Sequence, residues 1–135
     1  MCRILVPVDG SDNGRRALAL AIGLAGKLAG ASVHLVHVRV PQESLAVEAV
    51  DAGCPRAAPE DVLPPARAML EEAGVPFTSE GAEGYVGSTI AAQAAKHACD
   101  AIVMGTRGMG SAGELLGSIA RQVIQFAEVP VTLVK

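Results

Sequence analysis

Residues 4–11 read Ile-Leu-Val-Pro-Val-Asp-Gly-Ser, an aliphatic run that stops abruptly at an acidic residue and a glycine. A continuous run of β-branched and leucine side chains is typical of a parallel strand that is buried on both faces. Ser11 or Asp12 then offers an N-cap for the helical pattern that follows. The stretch therefore predicts the strand–turn–helix unit with which an α/β domain begins.

Short aliphatic runs alternate with helical patterns along the rest of the chain. After the strand at 4–8, we predict further strands over residues 32–40, 75–83, 100–104 and 129–134. We predict helices from the first turn to near residue 30, from the prolines at 64 and 65 to residue 72, from a cap at 87–88 to residue 98, and from 118 to 127. Residues 41–58 have no clear period and are interpreted as a mobile connection.

Five strands alternating with four helices predict a single-domain, three-layer α/β fold over residues 1–135, with a Rossmann-like, five-stranded parallel sheet covered by helices on both faces. Right-handed crossovers limit the possible strand orders. We favour the order 3-2-1-4-5, in which strand 1 lies beside strand 4. The winding reverses between these two strands, which leaves a crevice at their C-terminal ends.

Composition excludes several classes of function. Aromatic residues make up 2% of the 135 residues, so stacking on aromatic rings is not the main way of holding a base. The formal net charge is −3 and the only adjacent basic pair is Arg15–Arg16, which argues against a nucleic-acid partner. Three widely spaced cysteines, Cys2, Cys54 and Cys99, fit a reducing compartment. With no signal-like leader and no membrane span in the pattern, we expect a cytoplasmic protein.

The predicted crevice brings together two loops that are distant in sequence. One follows strand 1 and includes Pro7 to Ser11; the other follows strand 4 and carries five glycines between Gly105 and Gly117. Glycines let the backbone approach a ligand closely and present its N–H groups. Ser118 as the N-cap would direct the positive end of the last helix to the same place, as in a phosphate site. The alternative is that the glycines only close a tight strand-to-helix turn.

Common phosphate-binding and catalytic motifs do not fit this loop. A Walker A motif requires a lysine, and none occurs between Lys96 and Lys135. The G-x-G-x-x-G at residues 108–113 follows the fourth strand instead of the first, so it is weak support for a dinucleotide site. A bound polyphosphate would depend on backbone amides, Ser118, Arg107 and a divalent cation. His34 and His37 are an odd number of residues apart on one strand, so they point to opposite faces and cannot form one metal site.

The chain resembles the universal stress proteins over essentially all of its length. The resemblance rests on residues 4–11, 35–38, 100–108, 115–118 and 129–134. The nucleotide-binding branch of that family has the pattern G-x2-G-x9-G-[ST]. Gly105 and Gly108 match its first half, and Gly117 with Ser118 match its second half. Only eight residues, 109–116, separate the two halves here, one fewer than in the family pattern.

The resemblance implies a site for ATP, or for AMP or ADP, with Mg²⁺ bound alongside the nucleotide. It implies that Asp9 meets the ribose hydroxyls or the metal, while Val38 offers backbone groups to the adenine edge. Pro7 and Val8 would line the base slot, and Arg107 would neutralise phosphate charge. The residues framing the phosphates would be Met104, Gly105, Gly108, Gly117, Ser118 and Ile119. Two roles without a ligand stay open: Asp9 tying the first turn, and the strand residues serving only as core.

The same resemblance implies a stress-response regulatory protein that acts as a dimeric, nucleotide-dependent sensor and signals to an unknown protein partner. The homodimer would form through the last strand, which we predict to begin at Val129 and end at Val134. Hydrolysis would be slow at most, because the sequence offers no general base or Walker lysine to position a γ-phosphate. Two alternatives are a dimeric interaction module that binds no nucleotide, and a slow ATPase or phosphotransferase.

Overall fold

The structure, a computed structural model, describes residues 2–40, 59–107 and 116–135. The predicted connection at 41–58 and most of the glycine-rich loop lie outside these ranges. The strands are β1 Arg3–Pro7, β2 Ser32–Arg39, β3 Phe77–Glu83, β4 Ala101–Gly105 and β5 Val131–Val134. The helices are α1 Asp12–Lys27, α2 Pro59–Ala73, α3 Val86–Lys96 and α4 Ser118–Phe126. The predicted alternation of strands and helices is confirmed.

The five strands form one parallel sheet in the order β3-β2-β1-β4-β5, as predicted. Strand β1 lies at the centre, with Leu5 opposite both His34 of β2 and Ile102 of β4. The chain therefore winds outward in one direction from β1 to β3, and in the other from β4 to β5. Because β1 and β4 are neighbours, the reversal point lies between them, as predicted.

Helices cover both faces of the sheet and define two aliphatic cores. Leu5 faces one core, while Ile4 and Val6 face the other, as alternation along a strand requires. The core under α1 and α2 includes Ala17, Leu18, Val33, Leu35, Leu63, Leu70 and Val103. The core under α3 and α4 includes Val36, Val38, Ile90, Ala94, Ile102, Met104, Ala120 and Val123.

Helix α1 begins as predicted. The Ser11 hydroxyl oxygen accepts a hydrogen bond from the backbone N–H of Gly14 at 3.0 Å, which satisfies one donor of the first turn. Gly10 has φ 87°, a conformation that favours glycine, and it allows the chain to turn sharply from β1 into the helix.

Two helix starts differ from the prediction. Helix α2 begins at Pro59, so Pro64 and Pro65 lie inside it and leave the carbonyls one turn earlier without their usual donors. The burial of Leu63 and Leu70 against the sheet offsets that loss. Helix α3 begins at Val86, with Tyr85 as its N-cap, so the predicted cap at residues 87–88 is wrong.

Gly87 has a packing role instead. It is buried in the first turn of α3, and a Cβ at this position would collide with the Cβ of Gln122 on α4. The glycine therefore permits a close approach of α3 and α4 on one face of the sheet. None of the helices in the described ranges is both long enough and apolar enough to cross a bilayer.

Candidate functional site

The first wall of the crevice is the turn that follows β1. Asp9 is half-buried there, and its Oδ1 accepts a hydrogen bond from the backbone N–H of Ser11 at 2.9 Å. The carboxylate therefore ties the turn at the start of α1, which is the structural role left open by the sequence. A role toward a ligand would be additional to this bond.

Asn13 connects this wall to the opposite one. Its side chain is buried in the first turn of α1, and its Nδ2 donates to the carbonyl of Val134 at the end of β5 at 2.7 Å. Its Oδ1 accepts from the backbone N–H of Arg107 at 2.7 Å and faces the Thr106 hydroxyl at 3.4 Å. One amide thus holds α1, the segment after β4 and the end of β5 in a fixed arrangement.

The second wall is formed by the end of β4 and the start of α4. The backbone N–H of Gly117 donates to the carbonyl of Thr106 at 2.7 Å, so the chain returns to β4 before α4 begins. Gly117 is the N-cap of α4, which corrects the prediction that Ser118 caps it. Ser118 is instead the first, exposed residue of the helix, at the end where the helix dipole is positive.

The position of the Asn13 side chain explains why residue 105 is a glycine. A Cβ at Gly105 would lie 2.6 Å from Asn13 Oδ1 and 3.2 Å from the carbonyl oxygen of Arg107. A side chain at this position would therefore collide with the amide that joins the two walls. The sequence suggested that this glycine makes room for a ligand, but its nearest neighbours are groups of the chain itself.

The predicted base-slot residues divide between the two faces of the sheet. Val8 packs into the core under α1 and α2, whereas Val38 and Met104 pack into the core under α3 and α4. Pro7 and Ile119 are half-buried. Since the valine and methionine side chains are committed to two cores, these residues can line a common slot mainly through their backbone groups.

The loop between the walls is described only in part. Gly108, a predicted phosphate-binding residue, lies outside the described ranges, whereas half-buried Arg107 lies just within them. Helix α4 begins only at Ser118, so the one-residue difference from the family pattern falls before the helix. The helix residues are therefore not rotated by it, as they would be, by about 100°, if a residue were missing within a turn.

Sequence reasoning missed two arrangements of polar side chains. One is the set of bonds made by Asn13, whose position early in a helix carries no signal of where the amide points. The other is a group formed by His34, Glu80 and His97, which lies away from the crevice, near the N-terminal ends of the strands. Periodicity along β2 relates His34 only to His37, and these two side chains do point to opposite faces of the sheet.

Comparisons with known proteins agree with this architecture. The universal stress protein family matches residues 1–135. A universal stress protein of Thermus aquaticus is 38% identical over 141 residues, covering 98% of this chain and 97% of that protein. One from Methanocaldococcus jannaschii is 35% identical over 139 residues, covering 98% and 81%.

A solved structure extends the comparison. A universal stress protein from Archaeoglobus fulgidus, in complex with dAMP, is 27% identical, covers 100% of this chain and 98% of its own, and superimposes with a TM-score of 0.73. Sequence and fold agree over nearly the whole length of both chains. This chain belongs to the universal stress protein family.

Proposed function

We propose that this protein binds an adenine nucleotide in the crevice between β1 and β4 and acts as a dimeric, nucleotide-dependent regulator of a stress response. The observation that carries the proposal is the N-terminal end of α4, where exposed Ser118 lies at the C-terminal edge of the sheet between β1 and β4. The complex of the Archaeoglobus fulgidus relative with dAMP supports the choice of an adenine nucleotide.

Each wall of the crevice supplies a different part of the proposed site. Ser118 and the N-terminal end of α4 are suited to phosphate groups, because exposed N–H groups and the helix dipole attract anions there. Arg107, half-buried beside them, adds positive charge. Asp9 would reach the ribose hydroxyls, or Mg²⁺ held with the phosphates of ATP, ADP or AMP. Backbone groups of Pro7, Val8 and Val38 would meet the base.

The proposed role is regulatory, with hydrolysis slow at most. Phosphoryl transfer requires groups that neutralise the developing charge and position the nucleophile. The crevice sequence offers Arg107 as its cation, and no lysine occurs between Lys96 and Lys135. The output would then be a nucleotide-dependent surface read by a protein partner in the cytoplasm.

The dimer is proposed to form through β5. This strand lies at the edge of the sheet, and it pairs with β4 on one side. Open strand edges readily pair with another strand. Ile124 and Phe126, on the helix that leads into β5, are 49% and 51% exposed, so a second copy would also cover apolar surface.

A second candidate function is a dimeric interaction module that binds no nucleotide. It is favoured by the internal bonds of the crevice, where Asp9 Oδ1 accepts from Ser11 and the Asn13 amide bonds to both walls. The glycine-rich loop is one residue shorter than the family pattern, which also favours a module that binds no nucleotide. In this case the crevice would serve only to join the elements of the fold.

Calorimetric titration distinguishes the two candidates. We would first measure adenine absorbance released from the denatured, purified protein, and then titrate nucleotide-free protein with ATP, ADP and AMP, with and without Mg²⁺. Binding at one nucleotide per chain is expected. Neither released adenine nor heat at millimolar ATP with Mg²⁺ would select the interaction module.

The Asp9→Asn variant tests the placement of the site. Asparagine keeps an oxygen that can accept the Ser11 N–H, so the fold should hold, but it removes the charge that would meet ribose or Mg²⁺. We expect at least about 10-fold weaker binding, the equivalent of one charge-assisted hydrogen bond. Asp12→Asn, an exposed acid three residues further on, is the matched control and should bind normally. Equal affinities in all three proteins would mean that the site lies elsewhere.

A further inference from the structure

Three potential metal ligands converge on one face of the sheet, away from the crevice. They are His34 of β2, Glu80 of β3, and His97, which caps the C-terminal end of α3. One nitrogen of each histidine and one carboxylate oxygen of Glu80 all lie within 4.8 Å of one another. Two imidazoles and a carboxylate are the ligand types of three-residue zinc sites, which leave a fourth position for water.

One of the three separations already fits a small cation. His97 Nε2 lies 3.5 Å from Glu80 Oε1. Two ligands at about 2.1 Å from a tetrahedral zinc ion stand about 3.4 Å apart, so this pair already spans one edge of the required tetrahedron. The rings of His34 and His97 are stacked at a tilt of 35°, with centroids 4.0 Å apart. Rotation of the two partly exposed side chains, Glu80 and His97, would close the remaining separations.

Within the described ranges, Nε2 of His34 and Nε2 of His97 are buried and make no hydrogen bond of ordinary geometry, and the same holds for Gln93 Oε1. The Gln93 side chain also interacts with His34 as a weaker hydrogen-bond partner. An unpartnered buried nitrogen is costly, and a bound cation would remove that cost. The opposite nitrogen of His34, Nδ1, lies 2.6 Å from the Thr78 hydroxyl. With the hydroxyl as acceptor, Nδ1 carries the hydrogen and Nε2 presents its lone pair, the arrangement found behind metal-binding histidines.

Some charged groups around His34, Glu80 and His97 favour a bound cation, and others oppose it. Burial, and secondarily the charge of His97, lower the pKa of His34, whereas Glu80 and a side-chain hydrogen bond with Gln93 raise it. Glu80 would also offset part of the charge of a divalent cation. Arg3, whose guanidinium donates to the carbonyl of His97 at 2.8 Å, opposes a cation. The site would therefore hold a dication through its ligand geometry more than through net negative charge.

We propose that His34, Glu80 and His97 form a binding site for Zn²⁺, with the Thr78 hydroxyl positioning His34. The His34 side of the site is closed, since this residue is 2% exposed, while the partial exposure of Glu80 and His97 provides a way in. A metal there would tie the end of α3 to β2 and β3. This site is independent of the proposed nucleotide site, because none of its ligands belongs to the crevice.

Zinc titration of tag-free protein tests the proposal. Cys2→Ser and Cys54→Ser form the background, so that these thiols cannot bind the metal, and no nucleotide or Mg²⁺ is present. A chromophoric chelator competes for Zn²⁺, and the melting temperature is followed in parallel. We expect one zinc ion per chain and a higher melting temperature with zinc than with EDTA.

Variants assign the ligands. Glu80→Gln and His97→Gln replace partly exposed side chains, so both proteins should fold, and each should bind zinc at least about 10-fold more weakly. Glu83→Gln, an exposed carboxylate on the same strand, is the matched control and should bind as the background does. Thr78→Val should also weaken binding, by about 10- to 100-fold, if the hydroxyl positions His34.

Nitrogen NMR of the imidazoles provides a direct readout. Zinc should shift the Nε2 resonances of His34 and His97 and leave those of His37 unchanged. The proposal is overturned if zinc binds at less than one per chain, if Glu83→Gln weakens binding as much as Glu80→Gln, or if the Nε2 resonances do not respond. In that last case the group is only an ion pair between His97 and Glu80 beside a buried histidine.

Discussion

Asn13 Oδ1 accepts a hydrogen bond from the backbone N–H of Arg107 at 2.7 Å, across 94 residues of sequence. The bond crosses the crevice, because Asn13 belongs to the first turn of α1 and Arg107 follows β4. Nδ2 of the same amide reaches Val134 at the end of β5. The C-terminal edge of the sheet is therefore organised around one buried side chain.

Asn13→Ala tests how much this amide contributes. The variant leaves the part-buried Arg107 N–H without its acceptor, so we expect the free energy of unfolding to fall by about 1–3 kcal/mol. Urea denaturation measures the change. Arg16→Ala is the control, since it removes a single exposed bond to the Lys135 carbonyl and should cost less. A similar loss in both variants would show that the buried amide contributes no more to stability than an exposed hydrogen bond.

Gly105→Ala tests the explanation of that glycine. The new Cβ would meet Asn13 Oδ1 at 2.6 Å, so the variant should be destabilised in the otherwise unchanged protein. In the Asn13→Ala background the closest contact is gone, and the same change should cost less. We expect a coupling of at least about 0.5 kcal/mol in a double-mutant cycle measured by urea denaturation. Strictly additive effects would contradict the proposed collision.

The general fold could be predicted from the sequence because its signals are local. The run at residues 4–11 already contains a buried strand, a sharp turn and a helix cap, and each is set by neighbouring residues. Alternation of strands and helices then leaves few strand orders, and the reversal between β1 and β4 follows. The predicted starts of α2 and α3 differ from the observed ones, because these starts depend on how Leu63 and Gly87 pack against other elements.

The polar arrangements could not be predicted because they depend on tertiary distances. His34 meets Glu80 only through the register of β2 with β3, in which His34 lies opposite Thr78. It meets His97 only because α3 ends at that height above the sheet. Neither the strand register nor the helix height follows from hydrophobic periodicity. The same applies to Asn13, whose partners lie about a hundred residues away.

Cys99 should react slowly with thiol reagents. It is 5% exposed, and burial is the first cause that raises the pKa of its thiol. The reactive thiolate is therefore both scarce and covered. If the reagent reaches Cys99 only after a local unfolding that costs about 2.7 kcal/mol, the reaction slows about 100-fold. Each factor of ten in the population of the unfolded region corresponds to about 1.36 kcal/mol.

Reaction with Ellman's reagent measures this difference. Cys99 is followed in a Cys2→Ser/Cys54→Ser protein, and the partly exposed Cys2 in a Cys54→Ser/Cys99→Ala protein. The rates should differ about 100-fold in buffer, and they should become similar in urea. Similar rates in the folded proteins would show that the region around Cys99 opens easily.

The open edge of β5 should carry the dimer contact, and the first residue of the strand offers a selective test. The carbonyls of Pro130 and Val134 accept from Ile102 and Thr106 of the adjacent chain segment, so these positions face β4. Backbone groups alternate in direction along a strand, and Val131 therefore directs its N–H to the open edge. Val131→Pro removes this donor at a strand-initial position, where proline is tolerated.

Sedimentation equilibrium compares Val131→Pro with Val131→Ala. Both variants lose the valine packing, but the alanine variant keeps the N–H, so the difference between them isolates the edge hydrogen bond. We expect the unchanged protein and Val131→Ala to be dimers at micromolar concentration. Val131→Pro should dissociate at least about 10-fold more readily, because losing a hydrogen bond and leaving its partner unsatisfied costs about 1–3 kcal/mol. A monomeric unchanged protein, or equal dimer affinity in the two variants, would show that β5 does not join the subunits.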